Sequence, residues 1–248
     1  GRPGYPPGPD PVVLDVMPAA NFRSQALLVP GTVCEVDIVA DDLVSDGHGS
    51  LFMEDWEMGG GYTVRARPYV HASSYPRPLL TAPYDELFTG VPEALGGRLG
   101  EIWDAILPAG EGLDTRGAIE ALVRHFRSEY SYELGQRMSG GEDPVLQFLE
   151  GRKKGHCELF ASSAALLLRE RGIPTRYITG FVCGERHPFG GYWLARLEDA
   201  HAWVEAYVAE EDVWVLVEAT PPGGIPSGKS RLNRFTALSD RVAMFWKQ

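Results

Sequence analysis

The stretch GHCELFASSAALLLRERGIPTRYITGF, Gly155–Phe181, sets a cysteine at the mouth of an apolar helix with a strand directly behind it. Phe160, Ala161, Ala164, Ala165, Leu167 and Leu168 cover much of a helical circumference, which predicts a largely buried helix. Gly172 and Pro174 stop it, and TRYITGFVC follows with the β-branched and aromatic content of a strand. Cys157 therefore falls at the helix N-terminus, where unpaired N–H groups and the positive end of the dipole favour an anion. Such a place lowers a thiol pKa from its usual value of about 8.5 and makes thiolate available near neutral pH. It also suits a small apolar residue that merely packs, and a partner base is what distinguishes the two.

HAWVEAYV, His201–Val208, offers that base. Side chains alternate along a strand, so His201, Trp203, Glu205 and Tyr207 share one face. AEED then reads as a turn of four residues into VWVLVE. If Val208 and Val213 close the hairpin, His201 lies across from Thr220, and Glu218 is its diagonal neighbour on the same face. Diagonal neighbours stand roughly 7–8 Å apart at the backbone, within reach of a histidine and a glutamate side chain. A carboxylate there fixes the imidazole tautomer and stabilises the imidazolium, while the imidazole activates a thiol. A packed core histidine and a solvated glutamate are the alternative reading of the same spacing.

Just upstream of Gly155, GEDPVLQFLE carries a helix start, with Asp143 as cap and Pro144 at the first helical position. Further upstream, Leu99, Ile102, Trp103, Ile106 and Leu107 recur at helical spacing, as do Ile119, Leu122, Val123 and Phe126, the latter capped by Asp114 or Thr115. Residues 1–72 read differently: an unstructured Pro- and Gly-rich start, then the short strands VVLDVM, TVCEVDIVA, SLFMEDWEM and YTVRARPYV. Residues 73–98, beginning SSYPRPLLTAPY, read as a linker and entry to a core over 99–248. Beyond the helices, TRYITGFVC, GYWLARLE, HAWVEAYV and VWVLVE predict an antiparallel sheet, so the C-terminal part is α+β.

With 34 acidic against 23 basic residues and a net charge of −11, the chain of 248 residues argues against a nucleic-acid surface or a face for anionic lipid. A neutral, basic or peptide-like partner fits better. Cys34, Cys157 and Cys183 are odd in number and widely spaced, which gives no disulfide framework and no CxxC zinc pattern. A zinc site of Cys157, Cys183 and His201 would lack the usual tight ligand spacing, and Cys34 and Cys183 read as buried thiols. No nucleotide-binding glycine pattern, calcium loop or cofactor motif appears, so no cofactor is expected. His48, His71, His125 and His187 have no evident partners, and His156, adjacent to Cys157, points away from it. Arg152, Lys153 and Lys154 either add positive potential at the thiol or form a solvated basic loop. No apolar run approaches the roughly 20 residues of a membrane helix.

Three blocks together, DPVLQFLEGRKKGHCELFASSAALLLRERGIPTRYITGF, DAHAWVEAYV and WVLVEATPP, resemble the transglutaminase-like superfamily, whose core is a permuted relative of papain-like cysteine proteases. The likeness spans roughly residues 62–222. It implies a papain-like core of helices on an antiparallel sheet, with Cys157 as nucleophile, His201 as general base and acid, and Glu218 orienting His201. It further implies thiol-dependent acyl transfer on peptide or protein carboxamides, most simply transamidation. A cysteine peptidase or amidase with the same triad, and a non-catalytic peptide-binding scaffold, are the alternatives. Glu218 stands where the family usually has Asp, and the extra methylene calls for a sheet shift or a looser imidazole. For the oxyanion, the Cys157 N–H and either Tyr130 or Tyr132 are the expected donors. The closing RFTALSDRVAMFWKQ resembles bacterial members that carry this domain between membrane helices, which implies an extracytoplasmic domain anchored by segments outside this sequence; a cytoplasmic protein is the alternative.

Overall fold

The structure, a computed structural model, describes residues 10–19, 24–29, 32–39, 43–45, 50–53, 61–67, 85–107, 112–135 and 140–227. The Pro- and Gly-rich start before residue 10, the passage from Ser73 to Tyr84 and the closing RFTALSDRVAMFWKQ lie outside these residues. The chain forms two compact units, one of residues 1–87 with 207–215 and one of residues 88–206 with 216–248.

In the first unit, β1 (Val12–Val16), β2 (Thr32–Asp37) and β5 (Tyr62–Arg67) form an antiparallel sheet in the order β1-β5-β2, and β3 (Leu43–Ser45) pairs with β4 (Leu51–Met53). Strand alternation is clean in β5: Tyr62, Val64 and Ala66 are buried while Arg65 between them is exposed. Leu27 and Met53 complete the small core, and the Tyr62 hydroxyl accepts the Leu28 N–H and donates to the Leu28 carbonyl, each at 2.8 Å.

Helix α1 (Asp85–Thr89) spans the start of the second unit at Phe88, and α2 (Glu93–Ile106) and α3 (Thr115–Glu129) follow within it. α2 buries Leu95, Leu99 and Trp103; α3 buries Ile119, Leu122 and Phe126 and is capped by Asp114, whose carboxylate accepts the Gly117 N–H at 2.7 Å. After β6 (Ser131–Tyr132), the turn α4 (Pro144–Leu146) starts as its sequence dictates, Asp143 accepting the Val145 N–H at 2.8 Å. A π-helical turn, Gln147–Arg152, runs into Lys153 in the left-handed region at φ 53°, and β7 (Lys154–Gly155) then pairs in parallel with β6.

Helix α5 (Cys157–Glu170) buries Leu159, Phe160, Ala161, Ser163, Ala164, Ala165, Leu167 and Leu168, as its broad apolar face requires. It ends at Gly172, φ +70°, with the Gly172 N–H on Arg169 and the Ile173 N–H on Leu168, a Schellman closure. Phe126, Tyr130, Phe148 and Phe160 pack ring on ring with centroids 4.9–6.3 Å apart. This cluster locks α3 and the π-helical turn onto α5.

The sheet has the order β12-β11-β8, from β8 (Thr175–Phe181), β11 (Ala200–Val208) and β12 (Val213–Val217). The β11–β12 turn occupies residues 209–212, with Asp212 in the left-handed region and bonded to the Tyr207 hydroxyl. GYWLARLE departs from expectation. It supplies only β10 (Trp193–Leu194), paired with β9 (Glu185–Arg186) outside the main sheet. Its strand is cut short because Arg196 is drawn to Glu185 at 3.2 Å, and the Arg196 N–H is capped by Asp199 at 2.8 Å, which starts a 3-10 turn.

Candidate active site

Cys157 is the first residue of α5, and His156 before it is extended at φ −96° and ψ 174°. The approach is fixed by β6 and β7: the Ser131 N–H donates to the Lys153 carbonyl at 2.9 Å and the Glu133 N–H to the Gly155 carbonyl at 2.8 Å. Gly155 is required by close packing, since a Cβ there would stand 2.6 Å from Leu159 Cδ1 and 3.1 Å from the Phe148 ring. The thiol is half-buried, and burial alone would raise its pKa. His201 and the backbone N–H groups of Ala202 and Glu158 outweigh that and hold it below its ordinary value.

His201 sits on β11 opposite Gly180 and is buried. Its Nε2 meets Glu218 Oε2 at 2.6 Å, a charge-assisted contact between side chains only 3% and 17% exposed. The other carboxylate oxygen, Oε1, accepts the Thr220 N–H at 2.9 Å. Burial disfavours the imidazolium, but the bonds to Cys157 and Glu218 prevail and push the His201 pKa up to about 9. With Nε2 committed to Glu218, the buried Nδ1, which has no ordinary hydrogen bond, is the nitrogen left for the thiol. Such pairs are commonly long in unliganded sites and tighten with substrate.

Trp203 stacks against the imidazole, ring centroids 6.1 Å apart and planes 20° apart. Gly180 makes room for it, because a Cβ at that position would lie 2.8 Å from the indole Cη2. Of the two tyrosines expected near an oxyanion, Tyr130 spends its hydroxyl on the Leu149 carbonyl at 2.9 Å. Tyr132 is the one that feels the Cys157 charge, burial first and then the cysteine raising its pKa, and its ring leaves no room for a Cβ at Gly224. Tyr177 on β8 feels the same sulfur: burial, then Glu158, then Cys157 raise its phenol. The sequence pattern did not signal Tyr177, whereas strand parity from His201 does reach Trp203.

Of the remaining candidate residues with described side chains, Cys183 is the one that departs from expectation. Lys153 lies over the Tyr130 ring at 5.3 Å and Lys154 pairs with Glu133 at 3.7 Å, so these cations are engaged elsewhere than at the thiol. Cys183 is exposed just past β8 rather than buried, although its partly desolvated sulfur and the nearby Asp199 raise its pKa. The side chain of Cys34 lies outside the described residues. His187 is a satisfied loop histidine: its Nδ1 accepts the Phe189 N–H at 3.2 Å and the Gly190 N–H at 2.8 Å, and its ring stacks on Tyr192. Among the described residues no three His, Cys, Asp or Glu side chains converge as metal ligands, and none of the helices is long and apolar enough to cross a membrane.

Residues 108–219, which include Cys157, His201 and Glu218, match the family model of the Transglutaminase-like superfamily. The chain carries a transglutaminase-like domain. In sequence it is 39% identical over 103 residues to a protein-glutamine gamma-glutamyltransferase of Pseudomonas aeruginosa, covering 41% of this chain and 15% of that protein. It is also 40% identical over 83 residues to the uncharacterized protein YebA of Bacillus subtilis, covering 32% of this chain and 11% of YebA. The chain thus spans only a small part of the curated relatives it matches. In structure it is similar to the periplasmic domain of TgpA from Pseudomonas aeruginosa bound to ethylmercury, at TM-score 0.64 and 25% identity over 84% of this chain and 70% of that one. The transglutaminase-like domain is thereby a mixed fold of helices and antiparallel sheet with a strand-rich region before it.

Proposed function

We propose that this chain is a thiol-dependent acyltransferase of transglutaminase type, with Cys157 as nucleophile, His201 as general base and acid, and Glu218 as the residue that orients and charges His201. The observation that carries this reading is the buried 2.6 Å contact of His201 with Glu218, coupled to a thiol held below its ordinary pKa. Together they favour a thiolate–imidazolium pair near neutral pH.

In the proposed reaction the Cys157 thiolate attacks the carbonyl carbon of a glutamine carboxamide. The resulting oxyanion is met by the Cys157 N–H and by Tyr132. Collapse breaks the C–N bond, His201 gives its proton to the departing nitrogen, ammonia leaves and a thioester remains. An incoming lysine amine loses a proton to His201 as it attacks the thioester, forming an isopeptide bond and returning the thiolate. The Glu218 carboxylate stabilises the imidazolium in both steps. The name of the 39% identical relative, a protein-glutamine gamma-glutamyltransferase, supports the choice of transamidation over hydrolysis. Residues 99–248 form the catalytic core in this reading, with residues 1–72 a β-rich region before it. An extracytoplasmic location is proposed with it, supported by the structural likeness to the periplasmic domain of TgpA.

The test has two arms. Iodoacetamide should label Cys157 faster than Cys34 or Cys183 in the folded protein, and His201→Ala should slow it; equal labelling of the cysteines counts against a catalytic thiolate. A glutamine-containing peptide is then incubated with a tagged primary amine and weighed. Amine incorporation supports transamidation, deamidation alone points to side-chain hydrolysis, and a cut backbone points to a peptidase.

A further inference from the structure

Helix α3 reaches both halves of the site. On its buried side, Phe126 meets the ring of Phe160 at 5.9 Å, and Phe160 stands on α5 within a turn of Cys157. One residue further along, in the last turn of α3, the Arg127 guanidinium donates to the main-chain carbonyl of Glu218 at 2.8 Å across 91 residues of sequence. The helix end itself is closed by the Tyr130 N–H on the Phe126 carbonyl at 3.0 Å, and the Arg127 side chain serves a different segment.

Strand β12 ends at Val217, so Glu218 begins the segment after it. A glutamate also has one more rotatable bond than an aspartate between peptide and carboxylate, and its head is placed only as well as its peptide is. Thr220 steadies one carboxylate oxygen, and Arg127 steadies the carbonyl. We propose that Arg127 is a positioning residue for Glu218: it fixes the peptide from which the carboxylate reaches His201 and, through Phe126, references that peptide to the helix that carries Cys157. This rests on the Cys157, His201 and Glu218 reading above. The bond is charge-assisted but exposed, so its effect is moderate.

The experiment makes Arg127→Met and Arg127→Lys alone and in a Glu218→Gln background, and measures Cys157 alkylation by iodoacetamide against pH, amine incorporation and Tm. Arg127→Met should slow alkylation at pH 7 by about three- to tenfold, the range for one ordinary hydrogen bond, because solvent exposure offsets the extra strength of the charged donor. It should lower kcat more than it raises KM, and Arg127→Lys should recover most of the loss. In the Glu218→Gln background Arg127→Met should add nothing, because its effect runs through that carboxylate. The same slowing in both backgrounds would overturn the proposal in favour of general packing. Unchanged alkylation in Arg127→Met beside a slowed Glu218→Gln would overturn it while leaving the triad intact. If Glu218→Gln is itself silent, the triad reading falls first and this proposal with it.

Discussion

Glu218→Gln is the sharpest perturbation the site offers, since glutamine keeps the length and an acceptor oxygen but removes the charge 2.6 Å from His201 Nε2. The His201 pKa of about 9 stands well above its ordinary 6.5 despite burial that opposes the charge. An adjacent opposite charge accounts for about 1–3 pKa units in such settings, each worth 1.36 kcal/mol. Losing about one to two of those units reduces the ratio of thiolate–imidazolium to neutral thiol–imidazole by about 10- to 100-fold. Glu218 stabilises the imidazolium whether or not the thiol is ionised, so the main effect falls on the height of the neutral-pH plateau. The assay is the second-order rate of Cys157 alkylation from pH 5 to 10, read by mass spectrometry on the intact fold. Wild type should show substantial reactivity at pH 7. The variant should be slower there by several-fold at least, with its thiolate appearing only as the pH climbs toward the ordinary thiol range. A folded Glu218→Gln protein with the wild-type profile would refute the linkage.

Three more outcomes follow from the geometry. Because the folded-state pKa of His201 is raised to about 9, its stabilising contribution is full below about pH 6.5 and is lost as pH rises through 9. The Tm gap between wild type and Glu218→Gln should therefore narrow from pH 6 to pH 9.5, and a gap that widens would contradict the sign. In Gly180→Ala, the new methyl meets the Trp203 ring at 2.8 Å; the expected result is about 1–3 kcal/mol of destabilisation and a larger loss of alkylation rate than that strain explains, checked by melting and labelling together. Phe160→Ala empties the fully buried centre of the ring cluster and should cost about 3–5 kcal/mol by urea unfolding, a large share of a typical domain's stability, while Phe160→Leu costs much less.

The legible parts of the molecule were those in which one period governs a long run. Helix α5 declared itself because apolar residues cover much of its circumference, and its end because Gly172 can take a positive φ. The meeting of His201 and Glu218 followed from two facts of chain geometry: side chains alternate along a strand, and the turn between β11 and β12 has four residues. GYWLARLE misled for the opposite reason. Its alternation is that of a strand, yet Arg196 finds a buried carboxylate at Glu185 and a cap at Asp199, and two specific polar contacts outweigh a local propensity. The destinations of Lys153, Tyr130 and Tyr177 were equally illegible, because each depends on a partner far away in sequence that no spacing rule reaches.

The glutamate in place of the family's usual aspartate is where chain geometry and chemistry meet. A longer acid in the middle of a strand would push its carboxylate past the imidazole. Here β12 stops at Val217, so Glu218 lies just past the strand, with its carbonyl held by Arg127 and its carboxylate reaching His201 at 2.6 Å. Both oxygens are then used, one on His201 and one on the Thr220 N–H, which leaves the carboxylate little freedom to rotate. Thr220 is thus a better gauge of the acid's position than strand register. Shortening the acid to Asp without moving the peptide should stretch one of these two bonds. Glu218→Asp is accordingly expected to lose activity rather than gain it, although it restores the residue more usual in the family. An increase in amine incorporation by that variant would mean that the glutamate is a tolerated departure and not a fitted part of this site.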